Sequence, residues 1–112
     1  MKTLTAADLA EKIRQGIPIR ILDVRRLQAR STSGVQISGA DWRNPADWLD
    51  WKDSIAQDLP IVLYCAHGKE ISQGLTAVLQ AMGADATYLE GGIAQWQLEG
   101  HPVSGLTKVG EA

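Results

Sequence analysis

The segment Pro60-Ile61-Val62-Leu63-Tyr64-Cys65-Ala66-His67-Gly68-Lys69-Glu70-Ile71-Ser72 decides both the fold and the place to look for chemistry. Its first half is a continuous apolar run of strand length, the pattern of a strand buried on both faces. Its second half turns polar at once, and residues 66–70 read as a loop. A helix is predicted from about 72 to 82, with Ser72 as N-cap and Gly83 at its end. Upstream, Pro18-Ile19-Arg20-Ile21-Leu22-Asp23-Val24 reads as another buried strand. It follows a helix carrying Leu9 and Ile13, whose start at Thr5-Ala6-Ala7-Asp8 resembles a capping box with Asp in the acidic position and whose stop is Gly16. Downstream, Ala86-Thr87-Tyr88-Leu89 is a further strand, and Gly91-Gly92 turns the chain into a short helix through Ile93, Trp96 and Leu98. Asn44-Pro45 opens a helix with Trp48, Trp51 and Ile55 on one face, a core stripe rather than a substrate wall. Residues 25–44, rich in Ser, Gly and Arg, read as irregular.

Strands alternating with helices predict an α/β fold, a parallel sheet of about five strands with helices on both faces. One domain is expected over residues 1–112, with its core over about 4–103 and a C-terminal tail at 104–112. Ligands of such sheets bind beyond the carboxyl ends of the strands, which places attention on Cys65.

Composition narrows the function. With 45% hydrophobic and 21% charged residues the chain has a globular balance, so disorder is excluded. No apolar run approaches the roughly 18 residues of a membrane span, and Met1-Lys2-Thr3-Leu4-Thr5 lacks a signal-peptide core. A lone cysteine forms no internal disulfide, and one Cys with two His falls short of a structural zinc set unless carboxylates complete it. A cytoplasmic protein without a metal, a membrane or a nucleic-acid partner is expected; the net charge of −2 gives the last no support. The charge is uneven. Residues 1–30 carry seven Lys/Arg against three Asp/Glu. That excess includes Arg25, Arg26 and Arg30 beside a strand end, either a solvated face or a steering field for small anions.

The loop after Cys65 has consequences for the thiol. Its N–H groups and the first turn of the following helix can converge on the sulfur and stabilise the thiolate. Gly68 permits the curl, Lys69 adds a positive charge, and Ser72 caps the helix. Cys65 is therefore read as a reactive nucleophile rather than as a small buried hydrophobe. His67 is assigned to the loop rim, with a general-base role as the alternative.

At this point the sequence resembles the rhodanese-like superfamily, specifically the single-domain sulfurtransferases. Three blocks carry the resemblance: Ile21-Leu22-Asp23-Val24-Arg25, with a degenerate continuation at Ser38-Gly39-Ala40; Cys65-Ala66-His67-Gly68; and Leu89-Glu90-Gly91-Gly92-Ile93-Ala94-Gln95-Trp96 followed by Gly100-His101-Pro102-Val103. The resemblance implies a sulfurtransferase that uses neither metal nor organic cofactor. Cys65 would take a sulfane sulfur from a donor anion such as thiosulfate or mercaptopyruvate, hold it as a persulfide, and pass it to cyanide, a thiol or a sulfur-accepting protein. The loop Ala66, His67, Gly68, Lys69, Glu70, Ile71 and Ser72 would bind the substrate. Asp23 and Arg25 would organise the sheet edge as an internal ion pair, and Trp96 with Gly91-Gly92 would pack the last crossover. Arg43, close after the Ser38-Gly39-Ala40 block, is a candidate anion contact.

Two departures stand out. Where the family commonly has Arg or Thr, this chain has Glu70, expected to belong to the helix start while Lys69 faces the substrate. Counting from Cys65 to Gly83 suggests one extra loop residue, a seven-position loop closed by Ser72. A longer loop resembles the related phosphatases and arsenate reductases, but they place an oxyanion-clamping arginine where this chain has Ile71. The alternative to the enzyme is a binding or sensor module of the same fold with little turnover, related to oxyanion stress.

Overall fold

The computed structural model describes residues 3–106. In chain order it contains β1 (Thr3–Leu4), α1 (Ala6–Arg14), β2 (Arg20–Asp23), α2 (Leu27–Ser33), β3 (Val35–Ile37), β4 (Asp41–Trp42), α3 (Trp48–Trp51), β5 (Ile61–Tyr64), α4 (Glu70–Ala81), β6 (Ala86–Leu89), α5 (Gly92–Leu98) and β7 (Val103–Gly105). Strands β1-β6-β5-β2-β4 form one five-stranded parallel sheet, while β3 and β7 pair antiparallel in a separate ribbon. The α/β architecture with a five-stranded parallel sheet is the one expected from the sequence.

The sheet is sandwiched because its central strands are apolar on both faces. Side chains alternate across a strand. Ile21, Val62 and Tyr64 pack with Ala6 and Leu9 of α1 and with Ile93 and Trp96 of α5. Leu22, Val24, Ile61 and Leu63 pack with Leu79 of α4, Trp51 and Ile55 on the opposite face. Burying a Leu, Ile or Val side chain contributes about 1.5–3 kcal/mol, so these two layers outweigh the weak propensity of any four-residue strand. Thr5 caps α1 as predicted, its hydroxyl accepting from the Asp8 N–H at 3.1 Å. Asn44 caps likewise, its side chain accepting from the Ala46 N–H at 3.0 Å. The Trp48/Trp51 stripe is core, with the rings edge to face at 6.3 Å and Trp51 buried. The helix it sits on is shorter than its spacing suggests: α3 is flanked by 3-10 turns at Pro45–Asp47 and Lys52–Ser54.

Three expectations are corrected. Residues 25–44 are not irregular: they hold α2, β3 and β4. Helix α2 buries no residue and so carries no apolar periodicity to read; it ends in Gly34 at φ +72°. Helix α4 starts at Glu70, two residues before the expected cap, because the loop after Cys65 is only four residues, Ala66 to Lys69. There is no seven-position loop. Of the expected C-terminal tail, Ser104 and Gly105 belong to β7, and 107–112 lie outside the described residues.

Register places the functional groups. β2 and β5 are neighbours with Asp23 opposite Tyr64, and the Val24 N–H continues the ladder to the Tyr64 carbonyl at 2.9 Å. Arg25 and Cys65 therefore leave the sheet side by side at its carboxyl edge.

Candidate active site

Cys65 ends β5 and is buried, 6% exposed, at the base of a cleft of about 400 Å³. One wall comes from the chain leaving β2, with Arg25, Arg26 and Ala29; the other is the loop itself, with Ala66, His67, Lys69, Glu70 and Ile71. The remaining predicted loop residues stand behind this wall. Gly68 is buried at φ +70°, where an added Cβ would lie 2.7 Å from the Gly91 nitrogen. Ser72, fully buried in the first turn of α4, has its hydroxyl 3.2 Å from the Cys65 sulfur and is not the helix cap. Lys69 occupies the cap position without a side-chain cap bond.

The loop is held from behind by the last crossover. Ile93 and Ala94 donate their N–H groups to the carbonyls of Cys65 and Ala66 at 3.1 and 3.0 Å. A Cβ on Gly92 would stand 2.3 Å from the Cys65 carbonyl oxygen, so only glycine allows this approach. Gln73 secures the far side, donating to the Gly68 carbonyl at 2.9 Å.

This arrangement acts on the thiol in opposite directions. Burial pushes its pKa up. The Ser72 hydroxyl, together with the backbone N–H groups of Ser72, Lys69 and His67, stabilises the thiolate, and the sum holds the thiol below its ordinary value. The loop N–H groups thus act on the thiol in the direction expected, and the Ser72 hydroxyl is a further partner of the sulfur. Because those donors favour the charged form, the thiolate population and any rate that depends on it rise with pH through a lowered range. Removing the Ser72 hydroxyl moves that rise to higher pH. Ser72→Ala is expected to lower the rate at neutral pH by about tenfold, the worth of a hydrogen bond to a charged group. A pH–rate profile superimposable on the parent's would contradict this.

Arg25 is the internal ion-pair partner that the resemblance implied. Its Nη2 donates to Asp23 Oδ2 at 2.7 Å and its Nε to Oδ1 at 3.0 Å, both side chains being at most 1% exposed. Burial acts against the charged guanidinium, but Asp23 outweighs it and the Arg25 pKa is raised. Its Nη2 also reaches the Val35 carbonyl at 2.8 Å, and Trp42 Nε1 donates to the Arg25 carbonyl at 2.9 Å, which fixes the wall. Arg30 lies over the Trp42 ring at 4.8 Å. Arg43 does not join the cleft; its Nε donates to Asp41 at 3.1 Å, and it is not among the lining residues. Sequence reasoning left Arg26 and Ala29 out of the site. The signal for them was the basic cluster at a strand end, whose neighbour in the sheet only the strand order reveals. Among the described residues, no group of three or more His, Cys, Asp or Glu is placed to hold a metal ion.

The family profile described as "Rhodanese-like domain" matches residues 5–99. Among curated proteins the chain is similar to the "Probable adenylyltransferase/sulfurtransferase MoeZ" of Mycobacterium tuberculosis, with 29% identity over 103 residues, 89% of this chain and 26% of that protein. The chain thus spans about a quarter of the length of the curated relatives it matches. Among solved structures it is similar to a rhodanese-related protein from Thermoplasma volcanium, with a TM-score of 0.81 and 27% identity, covering 93% of this chain and 98% of that one. A rhodanese-like domain protein from Staphylococcus aureus gives a TM-score of 0.80 at 27% identity, covering 96% of this chain and all of the other.

Proposed function

The chain belongs to the rhodanese-like domain family, and from that premise we propose that it is a sulfurtransferase working through a persulfide on Cys65. The observation that carries this reading is the Cys65 sulfur at the base of an open cleft, faced by the Ser72 hydroxyl and by loop N–H groups that lower its pKa. With thiosulfate as donor, the thiolate attacks the sulfane sulfur. The Sγ–S bond forms as the S–S bond of thiosulfate breaks, and sulfite leaves with the electron pair. The loop N–H groups that held the thiolate hold the Cys65–S–S⁻ anion, so charge moves by one sulfur without leaving the cradle. Cyanide or a thiol then attacks the outer sulfur and releases the Cys65 thiolate. With mercaptopyruvate as donor the thiolate attacks the thiol sulfur, the Sγ–S bond forms as the C–S bond breaks, and the electron pair leaves on carbon as the enolate of pyruvate, which takes up a proton. A sulfur-accepting protein stands in for the small acceptor. Since the chain has one cysteine, no internal thiol competes for the persulfide. A cytoplasmic setting, where thiols stay reduced, suits this chemistry. Among the described residues no helix is long and apolar enough to cross a membrane.

A second reading, a binding or sensor module with little turnover, is favoured by one observation: Glu70 stands in the cleft wall where the resemblance calls for Arg or Thr. Steady-state kinetics with thiosulfate and cyanide separate the two. The sulfurtransferase reading expects double-displacement kinetics, with parallel double-reciprocal lines as cyanide is varied. Absence of turnover with thiosulfate, with mercaptopyruvate and with a low-molecular-weight persulfide alike would give the site to the second reading.

A further inference from the structure

We propose that Glu70 determines donor specificity and that the preferred donor is a low-molecular-weight persulfide bearing both an ammonium and a carboxylate, of the cysteine-persulfide class, rather than a wholly anionic donor. The inference rests on the sulfurtransferase reading of Cys65. Three observations on the cleft carry it. Its volume of about 400 Å³ falls in the range occupied by organic ligands, far more than a small inorganic anion fills. Its mouth is ionic with both signs: Arg26 stands on the β2 side, Lys69 and Glu70 on the loop side. Among the described residues, none of these three side chains has an ion pair or hydrogen bond, so each can meet a ligand without breaking an internal contact. Arg25 is different, since its charge is committed to Asp23. The rest of the lining is His67 and the apolar side chains of Ala29, Ala66 and Ile71, with Cys65.

A dianion such as thiosulfate gains from Arg26 and Lys69 but is opposed by Glu70. A zwitterion places its carboxylate against the cations and its ammonium against Glu70, while its carbon chain crosses the apolar lining and its sulfur descends to Cys65. Glu70 is exposed, so each such contact changes binding by a few-fold rather than by orders of magnitude. Transfer from a donor R–S–SH needs no co-reactant. The Cys65 thiolate attacks the terminal sulfur, the Sγ–S bond forms as the R–S–S bond breaks, and the proton of the –SSH group passes to the departing R–S⁻. The products are Cys65–S–S⁻ and R–SH, with no net oxidation.

The test compares kcat/KM of the parent and Glu70→Gln on three donors: cysteine persulfide, the persulfide of 3-mercaptopropionate (the same carboxylate without the ammonium), and thiosulfate. The parent is expected to favour cysteine persulfide over the ammonium-free analogue about threefold, and Glu70→Gln to erase that preference. The same variant is expected to raise kcat/KM for thiosulfate about threefold, moving the cysteine-persulfide to thiosulfate ratio by about tenfold. The proposal is overturned if the parent shows no preference between the two persulfides, or if Glu70→Gln scales all three donors by one factor. Sulfur loading of Cys65 with those ratios unmoved overturns this proposal alone; no loading by any of the three overturns the sulfurtransferase reading with it.

Discussion

Cys65→Ser is expected to lower sulfur transfer on the order of 10³-fold or more while leaving the fold intact. The loss is large because the hydroxyl that replaces the thiol is not ionised in the range where the cradle acts, and a covalent step has no substitute nucleophile in this chain. Nothing in the cleft takes over: His67 is exposed at the rim, and Ser72 lies fully buried behind the sulfur. The fold survives because serine retains a partner for the Ser72 hydroxyl, now 3.2 Å from the sulfur, and changes little volume. The cost to stability is about 1 kcal/mol, that of an ordinary substitution. Steady-state turnover and a thermal melt on the same sample check both halves; turnover within tenfold of the parent would take the chemistry away from Cys65.

The largest effect on stability is expected from Asp23→Ala. Asp23 is fully buried, and its carboxylate is the counter-ion of Arg25, also buried. Truncating it leaves a guanidinium without compensation in a low-dielectric interior, a loss of about 3–5 kcal/mol. Against a total stability of about 5–15 kcal/mol, that is a large fraction, and Tm should fall by about 15 °C or more. The damage reaches the site, because Arg25 lines the cleft and ties the Val35 carbonyl to it. Replacing both partners, Asp23→Leu with Arg25→Met, removes the stranded charge and should recover much of the loss. A single Asp23→Ala variant that melts within 3 °C of the parent would show that the pair does not hold this edge of the sheet.

The central layers were legible because their signal is local. The apolar run 61–64, the Thr5 and Asn44 caps and the Gly91-Gly92 turn each announce an element by residue type at fixed spacing, and each is where it was expected. Helix α2 was not legible, since it buries no residue and has no acid in its first turn. The two-residue strands β1 and β4 exist only through their pairing with β6 and β2, which no local pattern encodes. The site divides in the same way. Cys65 and its amide cradle follow from a strand running into a loop and a helix. Ser72 was misread because a serine near a helix start fits the cap position, whereas the four-residue loop moves that start to Glu70 and turns the hydroxyl towards the sulfur. The opposite wall, Arg26 and Ala29, depends on β2 lying beside β5, a fact of strand order alone.

Intact-mass spectrometry after brief exposure to a sulfur donor tests the proposed chemistry most directly. The persulfide account predicts a one-sulfur adduct on the parent, localised to Cys65, discharged by cyanide and absent from Cys65→Ser. Unmodified protein after thiosulfate, mercaptopyruvate and cysteine persulfide alike, or an adduct that persists in the serine variant, would contradict it.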